Sequence, residues 1–258
     1  MARIIAITNQ KGGVGKTTTA MNFGVGLRRQ GKRVLLVDMD PQCSLSYIMR
    51  SEENGYTVQE LLLDPAMDAA LCVQRLEEGD LIPANRDLVT LETQLTDVGR
   101  AFRLSKGLKQ LSPRYDYIVI DSPPALGILT VNILAAANGV VVPALSDIFS
   151  LQGVGELYST IQAVTEYCNP GLQLYGILMT RLSERRILDR SMREMLDETA
   201  RQMGTRVFSA SIRESVAVRE ASAERQSIFA YAPRARQAED YGRFIEEYLS
   251  LEQSGVWG

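Results

Sequence analysis

Short runs of consecutive apolar residues alternate with helical stretches along most of the chain. Most of these runs are apolar at successive positions and not at every second one, which predicts strands buried on both faces of a parallel sheet. The predicted strands cover residues 4–8, 33–38, 81–83, 117–121, 139–143, 175–180 and 207–211. The helices predicted between them cover residues 16–30, 59–63, 96–111, 126–138, 153–167, 188–203 and 237–251.

This alternation predicts the α/β class, with one doubly wound and mostly parallel sheet that carries helices on both faces. No repeat, low-complexity tract or linker interrupts the sequence, so we expect a single domain over residues 1–258. A glycine-rich motif already begins at residue 11, and we therefore expect no N-terminal helix-turn-helix domain. We expect the last residues, 253–258, to fray.

Composition narrows the range of functions. An apolar content of 45% is enough for a large core, and a net charge of −3 gives no general attraction to nucleic acid, so any such binding needs a local basic patch. No apolar run reaches about 18 residues, and we expect neither a transmembrane helix nor a signal peptide. The three cysteines lie far apart, which predicts a reduced, cytoplasmic protein. The chain has no histidine, which excludes histidine acid–base chemistry and histidine-ligated metals.

The first predicted strand ends in a glycine-rich turn that opens the first predicted helix. In such a turn the backbone N–H groups converge on phosphate oxygens, and the helix directs its positive dipole end at them. Lys16 is placed to reach the β- and γ-phosphates, and the Thr17 hydroxyl to ligate Mg²⁺. Gln10 stands where the general P-loop pattern has a glycine, and a second lysine, Lys11, follows it. The predicted phosphate loop consists of Lys11, Gly12, Gly13, Val14, Gly15, Lys16, Thr17 and Thr18.

Two further predicted strands end in acidic residues. Asp38 is the last residue of the strand predicted over 33–38, and Asp40 follows two residues later. Pro41 prevents the strand from continuing, so Asp40 lies at the start of a loop that can reach the γ-phosphate. Asp121 follows four apolar residues, as in a Walker B strand, and is predicted to hold Mg²⁺ or its water shell. Because ligands bind at the carboxyl ends of strands in open α/β sheets, these acids and the phosphate loop predict one nucleotide site.

The three segments together resemble the motifs of the ParA/Soj family of deviant Walker ATPases, and the likeness covers nearly the whole chain. They are residues 7–19, 34–42 and 120–127. The resemblance implies an ATP- and Mg²⁺-dependent homodimer in which Lys11 of each subunit reaches the phosphates bound by the other. It also implies that Asp40 orients or deprotonates the attacking water beside the metal, and that Gln42 and Asp147 lie near the nucleotide. The family segment usually carries glutamate at the position of Asp147.

The second half of the chain supplies arginine and no lysine. Nine arginines lie between residues 181 and 219, against six acids, and arginine suits phosphate recognition. A helix that begins shortly before residue 188 would put Arg186, Arg190 and Arg193 on one face, with Arg185 at its entrance. The resemblance implies that DNA is bound here, by Arg185, Arg186, Arg190 and Arg219. An ordinary solvated helix with pairs four residues apart is the alternative interpretation.

The stretch 212–222 resembles a basic family segment but departs from it. Ala217 stands where the family pattern carries an arginine, and Ser222 replaces its proline. If this piece is extended, Arg219 lies on the same side as Ala217 and could substitute for the missing arginine.

The function that the resemblance implies is an ATP-dependent switch. It would bind non-specific DNA as a dimer on the nucleoid, position or segregate a plasmid or chromosome, and hydrolyse ATP slowly when stimulated by a ParB-like or other cargo adaptor. The same ATPase could position a protein compartment, and the sequence does not name the cargo.

Two other classes share the scaffold. A MinD-like membrane ATPase needs a basic amphipathic C-terminal helix, whereas residues 241–252 are acidic and lack lysine, so we expect no membrane partner. An electron-transfer relative would need paired cysteines around an Fe–S cluster, and Cys43, Cys72 and Cys168 do not lie in the required segments. A ligase-type relative would need a substrate pocket that the sequence does not reveal.

Overall fold

A computed structural model describes residues 1–97, 99–182 and 187–257, and for residues 92 and 187–190 it describes the backbone alone. The strands are β1 (Arg3–Ile7), β2 (Val34–Asp38), β3 (Gln74–Leu76), β4 (Gly79–Ile82), β5 (Tyr117–Asp121), β6 (Gly139–Ala144), β7 (Gln173–Leu182) and β8 (Val207–Arg213). The helices are α1 (Lys16–Arg29), α2 (Ser44–Ile48), α3 (Val58–Leu63), α4 (Leu91–Gln94), α5 (Arg103–Leu111), α6 (Ile128–Ala136), α7 (Ile148–Tyr167), α8 (Ile187–Gln202), α9 (Val216–Ala223), α10 (Ile228–Tyr231) and α11 (Arg236–Gln253).

All eight strands form one sheet in the order β3-β4-β2-β5-β1-β6-β7-β8. Every neighbouring pair is parallel except β3 and β4. The chain builds outward in both directions from β1, which confirms the predicted doubly wound, mostly parallel fold. Asp121 pairs in register with Ile7 of β1 and with Asp38 of β2. The carboxyl ends of β1, β2 and β5 therefore meet at one edge, where open α/β sheets bind ligands.

Two hydrophobic cores cover the two faces of the sheet. Leu35 and Val37 face one core, with side chains from α3, α5, α6, α7 and α8. Leu36, between them in the sequence, faces the other core, with side chains from α1 and α11. Because side chains alternate between the faces of a strand, a strand covered on both faces must be apolar throughout. This explains the continuous apolar runs of the sequence.

The predicted strands are all confirmed, each to within two residues at either end. The three-residue edge strand β3 and the short helices α2, α4, α9 and α10 were not predicted. The helix predicted over 96–111 is too long, since α5 begins at Arg103 after a 3₁₀ turn at Arg100–Phe102. Asn132 of α6 explains this late start, because its side-chain Nδ2 donates to the carbonyl of Arg100 and its Oδ1 accepts from the N–H of Leu104.

The C-terminal tail does not fray at Trp257. Its ring stacks on that of Tyr175, with the ring centroids 4.3 Å apart, and only 4% of the residue is exposed. Arg3 of β1 donates to the Trp257 carbonyl over 3.2 Å. The expectation that residues 253–258 fray is therefore wrong up to Trp257. Contacts with Tyr175 and Arg3, which are distant in the sequence, hold the tail. Among the described residues, no helix is long and apolar enough to cross a membrane.

Candidate nucleotide-binding site

The loop between β1 and α1 encloses an open cleft of about 500 Å³. Gly13 and Gly15 have φ angles of 75° and 88°, in the left-handed region where glycine is favoured. A Cβ added at Gly12, Gly13 or Gly15 would meet no atom within 4 Å, so these positions border empty space. Gly15 is also the N-cap of α1. The loop therefore offers backbone N–H groups and a helix N-terminus to an anion in the cleft.

Lys16 lies at the bottom of this cleft and is 7% exposed. Its ammonium group donates to the carbonyl of Lys11 over 3.2 Å. Burial lowers the pKa of Lys16, while the charges of Asp121 and Asp40 oppose that decrease. A buried lysine with one backbone acceptor and two acids nearby is suited to bind further negative charge from the cleft.

Two polar residues beside the loop hold it in place. The Thr180 hydroxyl, at the end of β7, lies 2.8 Å from the carbonyl of Val14 and 3.2 Å from that of Ala144. The Asn9 side chain donates to the carbonyl of Pro143 over 2.7 Å and accepts from the N–H of Lys11 over 3.0 Å. Neither Asn9 nor Thr180 was predicted as a site residue. Asn9 lies two residues after β1, and Thr180 follows an apolar run near the carboxyl end of β7, so a polar residue close to a strand end is the signal that identifies both.

Three aspartates gather beside the loop, at the ends of β2 and β5. Asp40 is 8% exposed and lines the cleft, whereas Asp38 and Asp121 are fully buried. Burial raises the pKa of Asp38 to about 6, although hydrogen bonds from Ser46 and from the Asp40 N–H oppose the rise. Burial raises the pKa of Asp121 well above its ordinary value, and the charge of Asp38 adds to this, while the Thr17 hydroxyl opposes it.

Asp121 lacks the hydrogen bonds that a buried carboxylate requires. The Thr17 hydroxyl is near enough to lower the pKa of Asp121, but within the described parts of the chain neither carboxylate oxygen has a partner at hydrogen-bond geometry. Buried polar atoms are nearly always satisfied. The same parts contain no group of three or more acidic or cysteine side chains arranged to hold a metal ion alone. Mg²⁺ bound by one or two carboxylates together with substrate phosphates fits both observations.

Lys11 and Asp147 meet in an ion pair within the chain. The Lys11 ammonium donates to both Asp147 carboxylate oxygens, over 2.7 and 2.6 Å, and lies 5.6 Å from the centre of the Phe149 ring. Asp147 also caps α7 by accepting from the N–H of Ser150. Burial raises the pKa of Asp147, but the hydrogen bonds from Lys11 and Ser150 outweigh it and the pKa falls below its ordinary value.

The structure brings most of the predicted nucleotide residues to the cleft. The predicted residues that line it are Gly12, Gly13, Gly15, Lys16, Thr17, Thr18, Asp40 and Gln42. The Val14 side chain is buried in the protein, so only the backbone of Val14 is available to a ligand in the cleft. Asp121 lies beneath the cleft, and Lys11 and Asp147 stand beside it as a pair.

The predicted DNA-binding arginines are only partly described. Arg185 and Arg186 lie outside the described residues, and Arg190 belongs to α8 but its side chain is not described. Arg219 is exposed and lies on α9, at the mouth of the nucleotide cleft.

The condition under which Arg219 and Ala217 would share one side is not met, because both lie in helix α9 and not in an extended segment. Ser215 accepts a hydrogen bond from the N–H of Ala217 and starts helix α9. In a helix two residues two positions apart point in nearly opposite directions, so Arg219 does not occupy the direction of Ala217.

Arg181 is a further residue that the sequence did not single out. Its φ is 55°, it donates to the carbonyl of Gly13 over 3.3 Å, and it forms an ion pair with Glu214 at 3.1 Å. It thus connects the phosphate loop to the segment that leads into α9.

Comparison with known proteins agrees with this geometry. Residues 2–174 match the family described as AAA domain. The chain is 38% identical over 247 residues to the sporulation initiation inhibitor protein Soj of Bacillus subtilis, which covers 93% of this chain and 96% of that protein. It is 35% identical over 258 residues to the chromosome partitioning protein ParA of Caulobacter vibrioides, with 97% and 95% covered.

One solved structure is similar over nearly the full length. It is the crystal structure of cobyrinic acid a,c-diamide synthase from Mycobacterium smegmatis with bound ADP and magnesium. Its TM-score is 0.85 at 34% identity, and the match covers 99% of this chain and 97% of that one.

Proposed function

The chain belongs to the ParA/Soj family of P-loop partition ATPases, and on that premise we propose that it is a switch driven by ATP binding and hydrolysis. The observation that carries the proposal is the cleft, in which a glycine loop, the buried Lys16 and an acid without hydrogen bonds surround one space. These groups suit a triphosphate with a divalent cation and suit few other ligands.

ATP and Mg²⁺ are the ligands we assign to this site. Lys16 and the loop N–H groups bind the β- and γ-phosphates, and the helix dipole of α1 favours their charge. Thr17 and Asp121 hold Mg²⁺, directly or through its water shell, and Asp40 lies near enough to contribute. When bound, the metal neutralises charge on the phosphates. The M. smegmatis structure was crystallised with ADP and magnesium, which supports this assignment.

Hydrolysis requires a group that orients water and a cation near the transferred phosphoryl group. Asp40 takes the first role, since it lines the cleft and its Oδ1 accepts from the N–H of Gln42, which fixes the carboxylate. Lys11 of a second subunit takes the second role. In the structure Lys11 is paired with Asp147 of its own chain, so it must leave that partner to cross a dimer interface.

The ATP-loaded homodimer then binds DNA without sequence preference, through arginines near α8 and α9. A cargo adaptor stimulates hydrolysis, which returns the protein to the monomer and releases the DNA. The chromosome partitioning relative from Caulobacter vibrioides supports a chromosome as cargo, a plasmid would suit the same switch, and the protein would act on the nucleoid in the cytoplasm.

The test is binding of a duplex of arbitrary sequence with no nucleotide, with ADP and with ATP plus Mg²⁺, at two salt concentrations. We expect DNA binding only in the presence of ATP plus Mg²⁺. We expect this binding to weaken steeply with salt because phosphate contacts release counterions. Asp40→Ala should hold the protein in the DNA-bound dimer, since only the water-orienting group is lost. ATP binding without DNA binding in any state would contradict the switch.

A second candidate is ATP-dependent amide synthesis, which the name of the M. smegmatis structure favours. We place it second because the relative from Caulobacter vibrioides, which matches 97% of this chain, is named a chromosome partitioning protein. ATP turnover that requires an added carboxylic acid and ammonia, and ignores DNA, would favour it over the switch.

A further inference from the structure

Asp38 is the buried acid of the site that the proposed chemistry does not use. It is the last residue of β2, is fully buried, and does not line the nucleotide cleft. Its Oδ2 accepts from the backbone N–H of Ser46 over 2.8 Å and from the Ser46 hydroxyl over 2.7 Å. Its Oδ1 accepts from the backbone N–H of Asp40 over 3.1 Å. Both oxygens are therefore engaged by the chain itself.

Ser46 extends this contact to a third part of the fold. Its hydroxyl oxygen accepts from the N–H of Ala84 over 2.9 Å, just beyond the end of β4. Ser46 is itself only 3% exposed and is the third residue of the short helix α2. One serine thus joins the end of β2, the start of α2 and the segment after β4.

The segment between Asp38 and Ser46 is therefore held at both ends by one carboxylate. Its residues Asp40 and Gln42 line the cleft, and Cys43 adopts a φ of 54°, which is costly for a residue with a side chain. A costly backbone conformation persists only where the surroundings enforce it. Here the hydrogen bonds of Asp38 at both ends of the segment supply that constraint.

We propose that Asp38 is a positioning residue for ATP hydrolysis, which fixes Asp40 through the Asp40 backbone and through Ser46. The proposal rests on the proposed function. A carboxylate is required because it accepts all three hydrogen bonds, whereas an asparagine would turn an NH₂ group towards one of the donors. Since Asp38 does not line the cleft, its effect on catalysis passes through Asp40.

The experiment separates positioning from binding and from folding. Ser46→Ala removes the hydroxyl that bonds to Asp38, and Ser46→Thr keeps a hydroxyl there. For each variant, kcat, the Kd for a non-hydrolysable ATP analogue and the thermal unfolding midpoint are measured. We expect Ser46→Ala to lower kcat by about 10- to 100-fold, because small misplacement of a catalytic group has effects of that size. The Kd should change by less than about threefold, since the lost contact is outside the cleft, and Ser46→Thr should restore kcat.

Two further comparisons make the result specific. Ser112→Ala is the matched control, because the Ser112 hydroxyl is also buried and accepts a backbone N–H, that of Ala2, away from the site. It should lower stability without changing kcat. In an Asp40→Ala background, Ser46→Ala should no longer change the residual turnover, since the group it positions is gone. Asp38→Asn, if it folds, should reproduce the effect of Ser46→Ala.

Several outcomes would overturn the proposal. It fails if Ser46→Ala and Asp38→Asn keep the kcat of the unaltered protein, or if kcat and analogue binding fall together in proportion to stability. It also fails if Ser46→Ala lowers turnover equally in the Asp40→Ala background. An unaltered protein that binds no ATP or hydrolyses none would instead refute the proposed function, so the two failures are distinguishable.

Discussion

Replacing Asp147 by Asn should release Lys11 from its own chain and favour the ATP-dependent dimer. In the structure the Lys11 ammonium is held by both Asp147 oxygens, and the proposed dimer needs that ammonium at the phosphates of the other subunit. An Asn side chain still accepts from the N–H of Ser150, so it can cap α7 as well as Asp does. The variant therefore removes the charge and leaves the helix start intact.

The size of the effect follows from the exposure and geometry of the pair. The Lys11 and Asp147 side chains are 26% and 35% exposed, so solvent weakens their attraction. Partly exposed pairs contribute up to about 1 kcal/mol, and two short charge-assisted bonds place this one near that limit. A dimer must open two such pairs, which is about 2 kcal/mol or about 30-fold in the dissociation constant.

Sedimentation velocity over a dilution series, with ATP and Mg²⁺ in an Asp40→Ala background, measures that constant directly. We expect Asp147→Asn to dimerise at about 30-fold lower concentration than its parent, and Asp147→Glu, which keeps the charge, to stay close to the parent. Unchanged or weaker dimerisation of Asp147→Asn would refute the reasoning. A weaker dimer would indicate instead that Asp147 contributes to the nucleotide site, near which the sequence resemblance places it, or to the dimer interface.

Three further outcomes are expected. Lys16→Ala should abolish binding of a fluorescent ATP analogue, because it removes the ammonium at the bottom of the cleft; retained affinity would refute the phosphate-loop assignment. Trp257→Ala should lower the free energy of unfolding by about 3–5 kcal/mol in urea titrations, because the ring is buried against Tyr175; a change under about 1 kcal/mol would show that the tail packs loosely. Arg219→Glu should weaken DNA binding of the ATP-loaded protein and reduce its salt slope by about one. The control is Lys109→Glu, an exposed charge reversal on α5, which packs on the opposite face of the sheet from α9, and ATP affinity is measured in parallel because Arg219 also borders the cleft.

The fold and the phosphate site could be predicted from the sequence because their signals are local. A strand buried on both faces is apolar throughout, and a phosphate loop is one continuous stretch of glycines, lysine and threonine. The edge strand β3 has three residues, with Arg75 exposed, so it leaves no apolar run to recognise. Helix α9 begins in a Val-Ala-Val sequence that suggests a strand, and the decisive signal was the capping residue Ser215.

Contacts between distant residues account for the other differences. Lys11 and Asp147 are 136 positions apart, and nothing in either motif indicates that they pair within one chain. Asn132, on helix α6, accepts a hydrogen bond from the first turn of α5 and so fixes where that helix begins. Tyr175, near the start of β7, stacks on Trp257 and holds the C-terminal tail. Such contacts depend on the register of the finished sheet, which a sequence pattern does not contain.

Hydrogen bonding separates two acids that the sequence pattern treats alike. Asp38 and Asp121 each end a buried strand, pair in register, and are fully buried. Asp38 accepts three hydrogen bonds from its own chain, whereas Asp121 has no partner among the described residues. A buried carboxylate without a partner destabilises the free protein, and a ligand that supplies a partner and binds only the folded state stabilises that state, increasingly so as its concentration rises above its dissociation constant. We therefore expect Asp38, whose hydrogen bonds the chain supplies, to position other groups, and Asp121, which lacks them, to link the stability of this sheet edge to nucleotide binding.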